Sequence, residues 1–155
     1  MRQGQLEVQE IDEVLNQKSG LLGISGVSGD MREILVAMKQ DHERARLAFD
    51  IYVHRLKAGI GGMCAVLGGI DALVFTAGVG ENSADVRAAV CSNLGYLGID
   101  IDATANAGLS PDGDVATPDS LVRILVIRAQ EDWAIATECW NLMSAPSRLS
   151  QSQRL

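Results

Sequence analysis

The sequence predicts an α/β protein. Two short apolar runs, residues 72–75 and 121–127, read as strands, and stretches with helical apolar spacing lie before, between and after them. A turn holding Gly78 and Gly80 joins the first run to a helix-start signal, so strand, glycine turn and helix follow in order.

Each element has its own local reason. Residues 11–17 read as a short amphipathic helix with Ile11, Val14 and Leu15 on one face, stopped near Gly20. Residues 20–29, rich in Gly and Ser, read as a loop. Asp30 and Glu33 have capping-box spacing ahead of Ile34, Leu35 and Met38, which predicts a helix start. A longer helix is expected from about Glu43 toward Leu56, where Ala48, Ile51, Tyr52 and Arg55 recur at helical spacing. Gly59, Gly61 and Gly62 either interrupt it or allow close packing before residues 65–67. Beyond the glycine turn, Asn82 or Ser83 leads into Val86, Val90 and Leu94. Residues 95–119 contain a loop with Gly98, Gly108, Pro111, Gly113 and Pro118. The run 121–127, apolar except for Arg123, suits a buried strand. Residues 129–132 turn into a last helix, 133–143, with Ala134, Ile135, Cys139 and Leu142 toward its buried side. The polar tail 144–155 is expected to be disordered. Two strands are too few for a sheet that covers all these helices.

At 155 residues and 47% apolar content the chain is long enough for one domain with a sizeable core. A net charge of −7, with no basic run, argues against nucleic acid or an anionic membrane as partner. No apolar stretch reaches the ~18 residues of a membrane span, and the polar start is unlike a signal peptide. Cys64, Cys91 and Cys139 are far apart, odd in number and set among small or apolar residues, as expected of buried reduced thiols in a cytoplasmic protein. His42 and His54 are not spaced with any cysteine as metal ligands.

The most informative stretch is Asp71-Ala-Leu-Val-Phe-Thr-Ala-Gly-Val-Gly-Glu-Asn82. Glycine lets a backbone approach a ligand closely and tolerates φ > 0, and the following helix offers unpaired N–H groups to an anion. The stretch therefore points toward a nucleotide. Its spacing alone also fits an ordinary βα turn, because it lacks the third glycine of the dinucleotide fingerprint and the Gly-Lys-Ser/Thr of a P-loop.

Residues 71–100 closely resemble the C-terminal part of the acetate kinase family, within the actin/heat-shock-chaperone/sugar-kinase superfamily. Four more segments resemble the same family in the same order. They are Leu15-Asn-Gln-Lys-Ser-Gly-Leu-Leu-Gly-Ile-Ser-Gly26, Gly29-Asp-Met-Arg-Glu33, the helix 45–61 and the ending 126–138. The resemblance spans residues 14–142. It implies a partial ribonuclease-H-like C-terminal domain lacking its opening three-strand meander, with residues 1–143 as the C-terminal nucleotide-binding portion of a longer kinase. Met1 is then an internal start, a truncation or the product of a broken reading frame.

The same resemblance implies the site. Gly78, Val79, Gly80, Glu81 and Asn82 match residues lining the adenosine side of the family's ATP site. Asp30, Met31 and Arg32 match a second nucleotide-contacting stretch. Asp30 is also a good N-cap in its own right, whereas Arg32 in a first helical turn opposes the helix dipole. Glu131 falls where the family places a carboxylate that helps hold Mg²⁺, just beyond the carboxyl end of a strand. Here it stands in Gln130-Glu131-Asp132 followed by Trp133, where the family shows Asn-Glu-Glu or Asp-Glu-Glu and an aliphatic residue.

Other charged residues read as supporting. Arg87 and Arg128, near the turns, could meet phosphate but are expected rather at the surface or in salt bridges, and Glu43, Arg44, Arg46 and Asp50 on a solvated helix face with i,i+4 pairs. Trp133 and Trp140, seven apart, suggest core packing or a subunit interface.

No residue matches the family's phosphoryl-stabilising arginines, its catalytic aspartate and histidines, or its acetate pocket, so no catalytic residue is assigned and no useful turnover is expected of the chain alone. The resemblance implies ATP and Mg²⁺ as cofactors, a short-chain carboxylate as acceptor and a homodimer to which this end contributes heavily. Propionate in place of acetate, a non-catalytic nucleotide-binding or dimerisation remnant, and an unproductive truncated product are the competing readings.

Overall fold

The structure, a computed structural model, describes residues 7–110 and 112–144. In chain order the elements are α1 (Val8–Asn16), α2 (Gly20–Ser25), α3 (Met31–Met38), α4 (Glu43–Leu67), β1 (Ala72–Phe75), α5 (Ala77–Asn82), α6 (Ala84–Cys91), a 3-10 turn (Gly95–Leu97), α7 (Ala103–Gly108), β2 (Gly113–Asp114), β3 (Arg123–Val126) and α8 (Glu131–Ser144). The three strands form one sheet in the order β1-β3-β2, with β1 parallel and β2 antiparallel to β3. The α/β class and both expected strands are present, but the run 121–127 is not wholly buried. β3 spans Arg123–Val126 with Ile124 and Val126 inward, while Leu121 and Arg123 are exposed because, among the described residues, one side of the strand has nothing packed on it. The third strand is new, and it lies in the stretch read as loop.

Side-chain caps set several helix starts. Asp30 accepts from the Arg32 amide, Ser83 from Val86, Asp102 from Ala105, and His42 accepts through Nδ1 from Ala45. Asp30 caps α3 through the Arg32 amide, and the expected capping box with Glu33 does not form. The core lies between the sheet and helices α3, α4 and α6. Ile34, Val86, Val90, Ile99, Val115, Ile124 and Val126 are fully buried in it.

Several expectations are corrected. Residues 20–25 are helix, not loop, because α2 packs on α4 and the Arg44 guanidinium closes its C-terminal end, donating to the carbonyls of Ile24 (2.9 Å) and Gly23 (3.2 Å). Arg44 is thus tied to a neighbouring helix rather than to an i,i+4 carboxylate. The glycines of α4 neither interrupt the helix, which runs unbroken for 25 residues, nor serve close packing, since a Cβ at 59, 61 or 62 would meet nothing within 4 Å. The 95–119 stretch holds the 3-10 turn, α7 and β2, tied to β3 by an ion pair of Arg123 with Asp114.

The last helix forms, but its expected buried side does not. No described residue of α8 is buried, and Trp133, Ile135, Trp140 and Leu142 stand exposed because nothing else in the described chain packs against them. Cys139 is exposed with them, while Cys64 and Cys91 are buried free thiols. Ser144 closes α8, and the rest of the tail expected to be disordered lies outside the described residues. No helix of the described residues is long and apolar enough to cross a membrane.

Candidate functional site

The chain leaves β1 at Phe75 and turns sharply. The left-handed residue there is Ala77, with φ 59°, and neither Gly78 nor Gly80 has positive φ. The expected open glycine turn is instead the short helix α5, and the strained conformation falls on a residue with a Cβ, which is uncommon and costs energy. The two glycines serve different ends. A Cβ on Gly80 would sit 3.3 Å from the Phe75 carbonyl carbon, so Gly80 lets α5 lie against the strand end. A Cβ on Gly78 would meet nothing within 4 Å. Gly78 therefore leaves a surface open to an incoming group.

That surface is one wall of a cleft of ≈ 580 Å³. Gly78, Val79 and Asn82 of α5, with Ser83 to Asp85 at the start of α6, form one side. Asp30, Met31, Arg32 and Leu35 at the start of α3 form the other. The two stretches singled out from the sequence, nearly fifty positions apart, meet across it. The apolar parts of Met31, Leu35 and Val79, bordered by polar side chains and the first turns of two helices, suit a ligand with an apolar face, polar edges and negative charge. The ionisable groups that line the cleft are Asp30, Arg32 and Asp85.

The remaining expected residues lie elsewhere. Gly80 packs against Phe75 as described. Glu81 does not line the cleft: its Oε1 accepts from the Ala129 amide at 2.7 Å, beside the exit of β3. Glu131 opens α8, is exposed, and is also outside the cleft lining. Met31 is mostly buried and shares its side chain between cleft and core.

Arg32 has a local partner. Its guanidinium donates to both Asp30 carboxylate oxygens, and the Asp30 carboxyl is held down to about 2, first by this side-chain bond and then by the Arg32 amide. The pair neutralises the arginine that opposes the α3 dipole.

Arg87, expected at the surface or in a salt bridge, is buried and pairs with no carboxylate among the described residues. Its Nε–H donates to Asn106 Oδ1 (2.7 Å), its Nη1 to the carbonyls of Gly80 (2.9 Å) and Glu81 (2.8 Å), and its Nη2 to the Asn106 carbonyl (3.1 Å). Asn106 donates in turn to the Ala84 carbonyl. Four carbonyl acceptors and no carboxylate hold this cation, and burial lowers its pKa. It ties the last turn of α5 to α6 and α7. Local sequence could not reveal it, because its partner Asn106 is nineteen positions away.

Among the described residues no three His, Cys, Asp or Glu side chains gather as a metal cage. A divalent cation bound at Glu131 would take one exposed carboxylate there and the rest of its ligands from phosphate oxygens and water.

Comparison with known proteins bears on the whole chain. The family model described as the acetokinase family matches residues 1–137. The acetate kinase of Gloeobacter violaceus is 56% identical over 140 residues, which are 90% of this chain and 35% of that protein. That of Nostoc punctiforme is 58% identical over 136 residues, 88% of this chain and 34% of that protein. In three dimensions the chain is similar to Porphyromonas gingivalis acetate kinase, with TM-score 0.80 and 40% identity over 89% of this chain and 35% of that one. A propionate kinase from Francisella tularensis has TM-score 0.76 and 37% identity over 86% of this chain and 34% of that one. The chain thus spans about a third of the length of the relatives it matches.

Proposed function

Since the chain belongs to the acetokinase family, we propose that it is the C-terminal nucleotide-binding portion, residues 1–143, of a kinase that transfers the γ-phosphoryl of ATP to acetate, giving acetyl phosphate and ADP. The observation that carries this reading is the cleft in which residues 30–32 meet Gly78, Val79 and Asn82, although they are far apart in sequence. Nucleotide binds there, its base and ribose against Val79 and Leu35, with Gly78 leaving room for it. Glu131 is the carboxylate for Mg²⁺, which when bound neutralises charge on the phosphates. The small mixed sheet is the remainder of a ribonuclease-H-like domain.

The chain's own residues bind and orient; none moves a proton or attacks. The groups that stabilise the transferring phosphoryl belong to the other two thirds of the relatives' length. The chain alone has no useful turnover, and robust acetyl phosphate formation by the purified chain would refute this. The acceptor is acetate or, as the Francisella relative's name allows, propionate. The acidic net charge and two buried free thiols suit a cytoplasmic protein without nucleic-acid or membrane partners.

A second reading, a dimerisation module, is favoured by the exposed apolar side chains of α8. A thermal melt with and without MgATP separates the two. Native-state binding raises the midpoint by mass action, about 2.7 kcal/mol at a hundredfold excess over Kd. A cooperative melt that shifts supports the nucleotide site; a cooperative melt without a shift supports the interaction module. Absence of a cooperative transition would mean that the fold needs the rest of the kinase.

A further inference from the structure

We infer that Glu81 is a positioning residue which fixes the segment leading to Glu131, rather than a contact to the nucleotide. This inference rests on the nucleotide reading above and deepens it. Glu81 is held at both ends. Its main-chain carbonyl accepts from the buried Arg87 guanidinium at 2.8 Å, and its carboxylate accepts from the Ala129 amide at 2.7 Å. Ala129 lies between the end of β3 and the start of α8, two residues before Glu131. The next amide back, that of Arg128, donates to Asp112 at 2.6 Å. Two successive amides of the strand exit are therefore fastened by carboxylates from different parts of the chain.

The consequence is a continuous mechanical link. Asn106 anchors Arg87, Arg87 anchors the end of α5, and Glu81 carries that position across to the exit of β3. The helix whose Gly78, Val79 and Asn82 line the cleft thus also places the first residue of α8. No described residue of α8 is buried, so α8 has no core packing to fix its start, and the bonds at 128 and 129 do that instead. An amide bonded to a carboxylate is a strong, directional restraint. Partners that orient a metal-binding residue commonly change metal affinity by about 10–100-fold when removed.

The test uses the whole chain as wild type, Glu81→Ala, Glu81→Gln, Glu131→Gln and the double variant E81A/E131Q. The probes are ADP with Mg²⁺, ADP with EDTA, and amide hydrogen exchange without ligand. In E81A, exchange of the Ala129 amide rises about tenfold, as for loss of one hydrogen bond, while Ile124 in the sheet stays protected. The affinity gain that Mg²⁺ confers on ADP falls about tenfold or more, ADP alone binds as before, and the double variant is no worse than E131Q. Gln at 81 keeps an acceptor oxygen and restores both readouts most of the way. Equal weakening of ADP with and without Mg²⁺ would make Glu81 a nucleotide contact and overturn the inference. Unchanged exchange at Ala129, or additive losses in the double variant, would overturn it as well. A wild-type chain that binds no ADP overturns the nucleotide reading itself; one whose Mg²⁺-dependent binding survives E81A overturns only the brace.

Discussion

Arg87 lies buried with its Nε–H directed at Asn106 Oδ1, 2.7 Å away, and its other hydrogen bonds go to the Gly80 and Glu81 carbonyls of α5 and to the Asn106 carbonyl of α7. Arg87→Met keeps much of the volume but leaves these carbonyls without donors. The variant should lose about 3 kcal/mol of stability in urea denaturation, because unpaired buried acceptors cost more than the average hydrogen bond returns. A loss below about 1 kcal/mol would show that water takes over the guanidinium's role.

Gly78 and Gly80 should respond oppositely to alanine. Neither has positive φ, so alanine fits the helix at both, with a propensity gain of up to about 1 kcal/mol. At Gly78 the new methyl meets nothing, so Gly78→Ala should raise the melting midpoint while its methyl, on the cleft wall, shrinks the MgATP-induced shift. At Gly80 the methyl meets the Phe75 backbone, which cannot swing aside, so Gly80→Ala should lower the midpoint, by about 1–3 kcal/mol in stability for an overpacked site. Paired melts read both.

The Asp30 carboxyl should titrate near 2 by NMR, below its ordinary 3.8, and Arg32→Ala should bring it back toward that value. Its folded pKa is depressed, so the stability it confers is complete above 3.8 and is lost as pH falls toward 2. A wild-type midpoint at 3.8 would show that the Arg32 pair does not persist in solution.

Native thiol labelling at pH 8 should modify Cys139 alone, and all three cysteines should react only after denaturation. Burial pushes the Cys91 thiol up to about 11, against smaller opposing effects of Lys57 and Arg87, so little thiolate exists there to react. Rapid native modification of Cys91 would mean that α6 opens readily.

Much of the architecture is legible locally. The apolar runs at 72–75 and 121–127 and the caps at Asp30 and Ser83 depend on neighbouring residues, and the structure places them where short-range chemistry expects. Other elements depend on distant partners. Residues 20–25 become helix because Arg44 reaches back some twenty positions to close it. Glycines 59, 61 and 62 stay helical within a 25-residue helix whose first half is packed on the core. The pattern of α8 is that of a helix with a buried side, but a pattern cannot say what is present to bury it.

The site divides in the same way. The sequence by itself determined the family, the two strands and the two stretches that line the cleft, because collinear motifs and period-dependent apolar spacing are properties of the chain read in order. Only the tertiary structure decided that those stretches face each other. It also decided that Arg87 is an internal anchor and that Glu81 turns from the cleft toward Ala129. Each of these depends on which distant carbonyl, amide or guanidinium lies within hydrogen-bond reach, and that is fixed by packing rather than by position along the chain.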